Sequence, residues 1–199
     1  MKRLIELEYR IVAQAARVTM FVQKMYNALF SDRLILDDTS YDFISSNNAH
    51  VEKGVKVAKS FLTKDDLIID AGCGVSPLLL SLQQLGYKNL AGIEYSEQLI
   101  SLFRRFTTSD VEMYQGDLAN PSKQMLELYG KAKLIYSYVP IRDGELYKKY
   151  MDTVYNTIPD GAYIVEVGRD IDTTDCPDLR LISAGIYVKD TSPDVVVRP

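Results

Sequence analysis

Cysteine, histidine and long apolar runs are scarce in this 199-residue chain, and each scarcity removes a class of protein. Only Cys73 and Cys176 are present, without metal-ligand spacing, so neither a disulfide framework nor a structural metal site is expected, and a reducing cytoplasm suits the chain. No apolar run approaches the roughly 18 residues that span a bilayer. Met1-Lys2-Arg3 runs into Glu6, Glu8 and Arg10 instead of a signal-peptide core, which predicts a soluble, cytoplasmic protein. Net charge is -4, and residues 65–199 carry 13 Lys/Arg against 20 Asp/Glu. Such an acidic body disfavours a nucleic-acid backbone as partner.

What is present is organised around Leu67-Ile68-Ile69-Asp70-Ala71-Gly72-Cys73-Gly74-Val75-Ser76-Pro77. A short β-branched run ends in a carboxylate and a glycine turn, and Pro77-Leu78-Leu79-Leu80 opens an apolar helix that Gly86 can stop. Gly72 and Gly74 permit backbone shapes and close approach that a Cβ would forbid. The N–H groups of the helix start would form a polar cradle for a ligand. One unit later Asn89-Leu90-Ala91-Gly92-Ile93-Glu94 is a second strand ending in an acid, placed to accept two ribose hydroxyls. A third, Val111-Glu112-Met113-Tyr114, leads into Gln115-Gly116-Asp117-Leu118. Three acids at successive strand ends are a more specific signal than the glycines alone.

This pattern resembles the class I S-adenosylmethionine-dependent methyltransferases over roughly residues 50–199. The resemblance implies a three-layer, Rossmann-like α/β fold with a mostly parallel seven-stranded sheet in the order 3-2-1-4-5-7-6. It implies S-adenosyl-L-methionine as cofactor, with Asp70, Gly72, Cys73 and Gly74 near its methionine end. Glu94 and Tyr95 then lie by the ribose, Asp117 with Leu118 by the adenine, and Tyr136 also against the cofactor. Ser76 stands where many members have a third glycine. A nicotinamide site would want glycine at Pro77 and no acid at Asp70. A free thiol at Cys73 beside a sulfonium admits nucleophilic chemistry, but a small turn residue accounts for it.

Strand four, Ala132–Tyr138, ends in Val139-Pro140-Ile141, where such enzymes present the methyl acceptor. The Asn-Pro-Pro-Tyr loop of several nucleic-acid methyltransferases is absent, and Tyr-Ser-Tyr-Val-Pro-Ile distantly resembles seven-strand protein lysine methyltransferases. Tyr138 and Pro140 are accordingly the catalytic candidates, Tyr138 being preferred to Tyr136 because it lies nearest the carboxyl end of the strand. Core packing is the competing account of both tyrosines. The expected substrate is a protein or small-molecule amine, protein lysine first and nucleic acid last. Two other readings stay open: a methyltransferase fold that binds without methylating, and transfer of the aminocarboxypropyl group, as in nicotianamine synthases.

Residues 1–47 form an N-terminal extension and connector, and 48–199 the cofactor domain. Leu4, Leu7, Ile11, Val18, Phe21, Met25 and Ala28 make a near-heptad stripe that packs on its own domain or pairs two copies as a homodimer. In the connector, Tyr41 and Phe43 are candidate lid residues. His50, the one histidine, begins the next helix and reads as a capping or surface residue, and Lys53, Lys56 and Lys59 as a solvated row. After strand five, Ala162–Val167, strands are expected at Leu179–Val188 and Asp194–Val197, hinged at Thr191-Ser192-Pro193.

Overall fold

The computed structural model describes residues 10–15, 17, 20, 21, 24, 48–107 and 109–191. The connector with Tyr41 and Phe43, and the expected strand Asp194–Val197, lie outside the described residues.

Seven strands form one sheet: β1 (Ile68–Ala71), β2 (Leu90–Glu94), β3 (Glu112–Gln115), β4 (Leu134–Tyr138), β5 (Tyr163–Val167), β6 (Leu179–Ser183) and β7 (Ile186–Lys189). Their order is β3-β2-β1-β4-β5-β7-β6, with β7 antiparallel to its neighbours and the other pairs parallel. Helices α1 (Asn48–Phe61), α2 (Pro77–Gln84), α3 (Glu97–Phe106), α4 (Lys123–Tyr129) and α5 (Gly144–Thr157) complete it. Alternation along the strands separates two cores: Ile68, Leu134 and Val165 face α1, α2 and α3, while Ile69, Ile135 and Ile164 face α4 and α5. Ile68 and Ile69 are both fully buried, worth roughly 2–3 kcal/mol each in burial. Burial on both faces therefore makes the central strand a continuous apolar run in which Asp70 is the exception.

Serines and an aspartate start the helices where short polar side chains can take up orphan N–H groups. Ser96 accepts from Leu99 N at 3.3 Å, Ser122 from Met125 N at 3.3 Å and Asp143 from Leu146 N at 2.9 Å.

Two expectations are corrected. The run Leu179–Val188, expected as one strand, is a hairpin of β6 and β7 with its turn at Ala184-Gly185. Gly185 adopts φ +64, and a Cβ there would lie 2.3 Å from the Glu166 carbonyl oxygen, so glycine makes this tight turn inside an otherwise strand-like run. In the N-terminal helical residues, Val12 and Ala15 are buried, whereas Ile11 of the expected stripe is half-buried and Phe21 exposed. The buried face is turned by one residue, and Phe21 reaches the domain only edge-on against Phe106, 6.0 Å between ring centroids.

Candidate functional site

β1 ends at the point where its chain neighbour in space, β2, also ends, and the register places Asp70 beside Gly92 and Tyr136. Gly72 and Gly74 then turn the chain with φ +73 and +54, and Ser76 enters α2 with φ 33. The turn's donors are consumed internally. Gly72 N and Cys73 N donate to the Ile93 carbonyl at 2.9 and 3.0 Å, Gly74 N donates to Glu94 Oε2 at 2.8 Å, and Ser76 N donates to the Cys73 carbonyl at 2.7 Å. Leu79 N donates to Ser76 Oγ at 3.1 Å. The expected cradle of ligand-facing N–H groups is thus corrected at these positions. A phosphate would find few donors here, and the polar groups at this edge are carboxylates.

Glu94 is 9% exposed and ties the two turns together, since its second oxygen accepts from Ser96 N at 2.9 Å. Burial raises its carboxyl above the ordinary range, opposed by the bonds from the Ser96, Gly74 and Tyr95 backbones. Each oxygen keeps a second lone pair, so a ribose diol can still be accepted. Asp70 is 4% exposed, receives the Ser76 hydroxyl at 2.6 Å, and is pushed up to about 7 by burial, with the Glu94 charge adding to the rise. A cation arriving beside it would restore the ionised form.

The Asp117 carboxylate shapes its own loop, accepting from Ala119 N at 2.9 Å and Asn120 Nδ2 at 2.8 Å, and so carries Leu118 toward the glycine turn. Cys73 is buried within the turn, and burial holds its thiol well above the usual range, which disfavours the thiolate that a nucleophile needs. Tyr136, expected against the cofactor, is 1% exposed and packed between α1 at Gly54 and α2 at Leu78. Strand alternation turns it to the same face as Tyr138, and its depth in the strand places it in the core beneath α1. Tyr95 is exposed beside Glu94. A Cβ on Gly72 would meet Pro140 Cβ at 2.8 Å, so the glycine turn and the end of β4 touch, bringing Pro140 and Leu118 to the acid cluster.

Tyr138 is half-buried at the β4 terminus, followed by Val139 with φ 41. A β-branched residue in the left-handed region is an outlier, and such strain concentrates where a loop must present a side chain in one way. The Tyr138 ring lies 4.6 Å from that of His50, centroid to centroid. Sequence reading set His50 aside, because the 88 positions that separate it from Tyr138 carry no local signal.

Glu166 was also passed over, although a lone acid in Tyr163-Ile164-Val165-Glu166-Val167 is the available clue. It is 1% exposed and accepts the Ser137 hydroxyl, joining β4 to β5 just before Tyr138. Burial pushes its carboxyl up to about 8. Its folded value lies above the unfolded one, so its stabilisation is complete below about 4.5 and is lost as pH rises through about 8. Thermal melts across this window are expected to show Glu166→Gln gaining on the parent protein by on the order of 1 kcal/mol per pH unit. A constant difference would show that Glu166 is ionised in the fold.

The opposite edge of the sheet holds a cavity of about 470 Å³ lined by Asp65, Lys88, Asp110 and Lys131 among others. It is remote from the strand-end acids and contributes nothing to them. Among the described residues no cluster suits a metal ion, and no helix is long and apolar enough to cross a membrane.

No protein-family model and no curated protein matches the chain. Solved structures do. An RNA methyltransferase from Salinibacter ruber, in complex with S-adenosyl-L-homocysteine, matches 78% of this chain and 100% of its own at 16% identity, TM-score 0.56. The PH0226 protein of Pyrococcus horikoshii OT3 matches 71% of this chain and 64% of its own at 17% identity, TM-score 0.51. An S-adenosylmethionine-dependent methyltransferase from Clostridium acetobutylicum is similar over 72% of this chain at 20% identity, TM-score 0.48, and there the chain spans 54% of that protein, about half its length. With its strand order, its two-sided helical cover and its acids at three strand ends, the chain has the Rossmann-like fold of the class I S-adenosylmethionine-dependent methyltransferases.

Proposed function

We propose that the chain is an S-adenosylmethionine-dependent methyltransferase acting on an amine, with protein lysine as the first substrate class. The observation that carries the cofactor is the glycine turn itself. Its N–H groups at Gly72, Cys73, Gly74 and Ser76 are spent within the protein while Asp70 and Glu94 stand at its edge, an arrangement suited to a cationic nucleoside and not to a pyrophosphate. When bound, the cofactor supplies a methyl group on a sulfonium.

The chain's residues do the rest. Glu94 accepts the ribose hydroxyls with its spare lone pairs. Asp70 faces the positive charge of the methionine end, and Leu118 and Pro140 wall the site and exclude water. Tyr138, held at the strained end of β4, offers an aromatic wall that fits an aliphatic amine through apolar and cation–π contact. Net charge of -4 speaks for a protein acceptor over a nucleic acid.

Incubating the protein with methyl-labelled cofactor and a lysate of its source cell, then digesting, tests the substrate class. Protease is expected to release the label; label that resists protease and disappears with nuclease would overturn the lysine assignment. Tyr138→Ala is expected to abolish transfer while leaving cofactor affinity unchanged by calorimetry. Met20 and Phe21, 51% and 54% exposed, support pairing of two copies through the N-terminal helix, and sedimentation at graded concentration checks it.

A further inference from the structure

A methyl acceptor nitrogen must turn its lone pair toward the methyl carbon, which requires that its N–H groups be held from the other side. The end of β4 offers little for this. Tyr138 presents an aromatic ring, the Val167 carbonyl beside it already accepts from Val139 N at 3.1 Å, and Pro140 lies against Gly72. The nearest side chain with a nitrogen acceptor comes from α1. His50 lies in the first turn of that helix, half-buried, with its ring 4.6 Å from Tyr138 and tilted 46° to it.

We infer that His50 accepts a hydrogen bond from the acceptor amine and, with Tyr138, aims its lone pair at the transferred methyl. The inference rests on the methyl-transfer reading and adds to it a residue on the substrate side. The role requires a neutral imidazole, and the surroundings favour one. Burial lowers the imidazole's proton affinity, the Lys53 charge one turn along α1 lowers it further, and the positive end of a 14-residue helix acts in the same direction. Tyr138 is the group facing it from β4. Lys53 is itself turned toward the sheet, its ammonium donating to the Glu166 carbonyl at 3.2 Å with Asp170 nearby. Its charge is therefore fixed beside His50 instead of swinging into solvent.

Because His50 is the chain's single histidine, its imidazole C–H signals can be followed by proton NMR without assignment. The probe is Nα-acetyl-lysine amide added to the protein saturated with S-adenosylhomocysteine. A saturable shift of the His50 signals is expected, reduced in Tyr138→Ala. In the labelled-lysate assay His50→Ala should transfer about tenfold more slowly, with His50→Gln, which keeps an acceptor atom, recovering most of the rate. In the rate profile the imidazole's contribution to the acid limb, where protonation removes the acceptor, should be lost in His50→Gln, leaving only the limb set by protonation of the amine substrate itself. Unmoved imidazole signals, with or without binding of the amine, or transfer by His50→Ala at the parent rate, would overturn the inference. Failure of S-adenosylhomocysteine to bind the parent protein in calorimetry would instead defeat the methyl-transfer reading, so the two failures are distinguishable.

Discussion

Glu94→Ala is expected to cost the fold about 2–5 kcal/mol and to eliminate measurable cofactor binding. The carboxylate satisfies Gly74 N and Ser96 N, both buried, and removing it leaves two donors without partners at about 1–3 kcal/mol each. Domains of this size hold only about 5–15 kcal/mol in total, so the variant sits near its unfolding limit. Glu94→Gln separates folding from binding. Its carbonyl oxygen can take one of the two N–H groups while its amide opposes the other, so it should melt at an intermediate temperature. It should also bind S-adenosylhomocysteine at least tenfold more weakly than the parent, as one ribose hydroxyl loses its acceptor. Equal affinity in Glu94→Gln and parent would remove Glu94 from the cofactor site.

Gly72→Ala carries the second large effect. At φ +73 any L-residue costs roughly 1–2 kcal/mol, and here the new methyl would also stand 2.8 Å from Pro140 Cβ. The proline ring cannot rotate aside, so the end of β4 must separate from the glycine turn. Gly86→Ala is the control. Its φ of +86 imposes a similar backbone cost, but nothing lies within 4 Å of the new atom. Chemical denaturation should therefore show both variants weakened and Gly72→Ala the more so, with loss of cofactor affinity confined to Gly72→Ala. Equal behaviour of the two would mean that contact between Pro140 and the turn is unimportant.

Legibility in the sequence followed the range of the interactions. Asp70 and Glu94 could be placed at strand ends because a strand buried on both faces is a continuous apolar run, and an acid at its terminus is conspicuous. Ser96 could be read as a cap because its bond spans three residues. The purpose of each acid was less accessible. That Glu94 holds Gly74 across 20 positions, and that Asp117 holds its own loop, depends on how turns fold back, which local pattern does not report. Gly185 was read through because a lone glycine in an apolar run is compatible with a continuous strand, and only pairing of Val165 with Ile186 fixes the reversal there. Tyr136 and Tyr138, two positions apart on β4, share the face turned to α1, and which of them met solvent was decided by that helix, where Gly54 leaves space that Tyr136 fills and His50 lies against Tyr138.

The account's central claim is that the β1 turn receives a cationic adenosyl cofactor, and calorimetric titration of the full chain with S-adenosylmethionine near pH 7, in two buffers of different ionisation heat, tests it most directly. Saturable binding is expected, accompanied by proton release, because burial pushes the Asp70 carboxyl up to about 7 in the free protein and the arriving charge favours its ionised form. Absence of saturable heat in both buffers from protein that melts cooperatively, or binding with no proton exchanged, would contradict it.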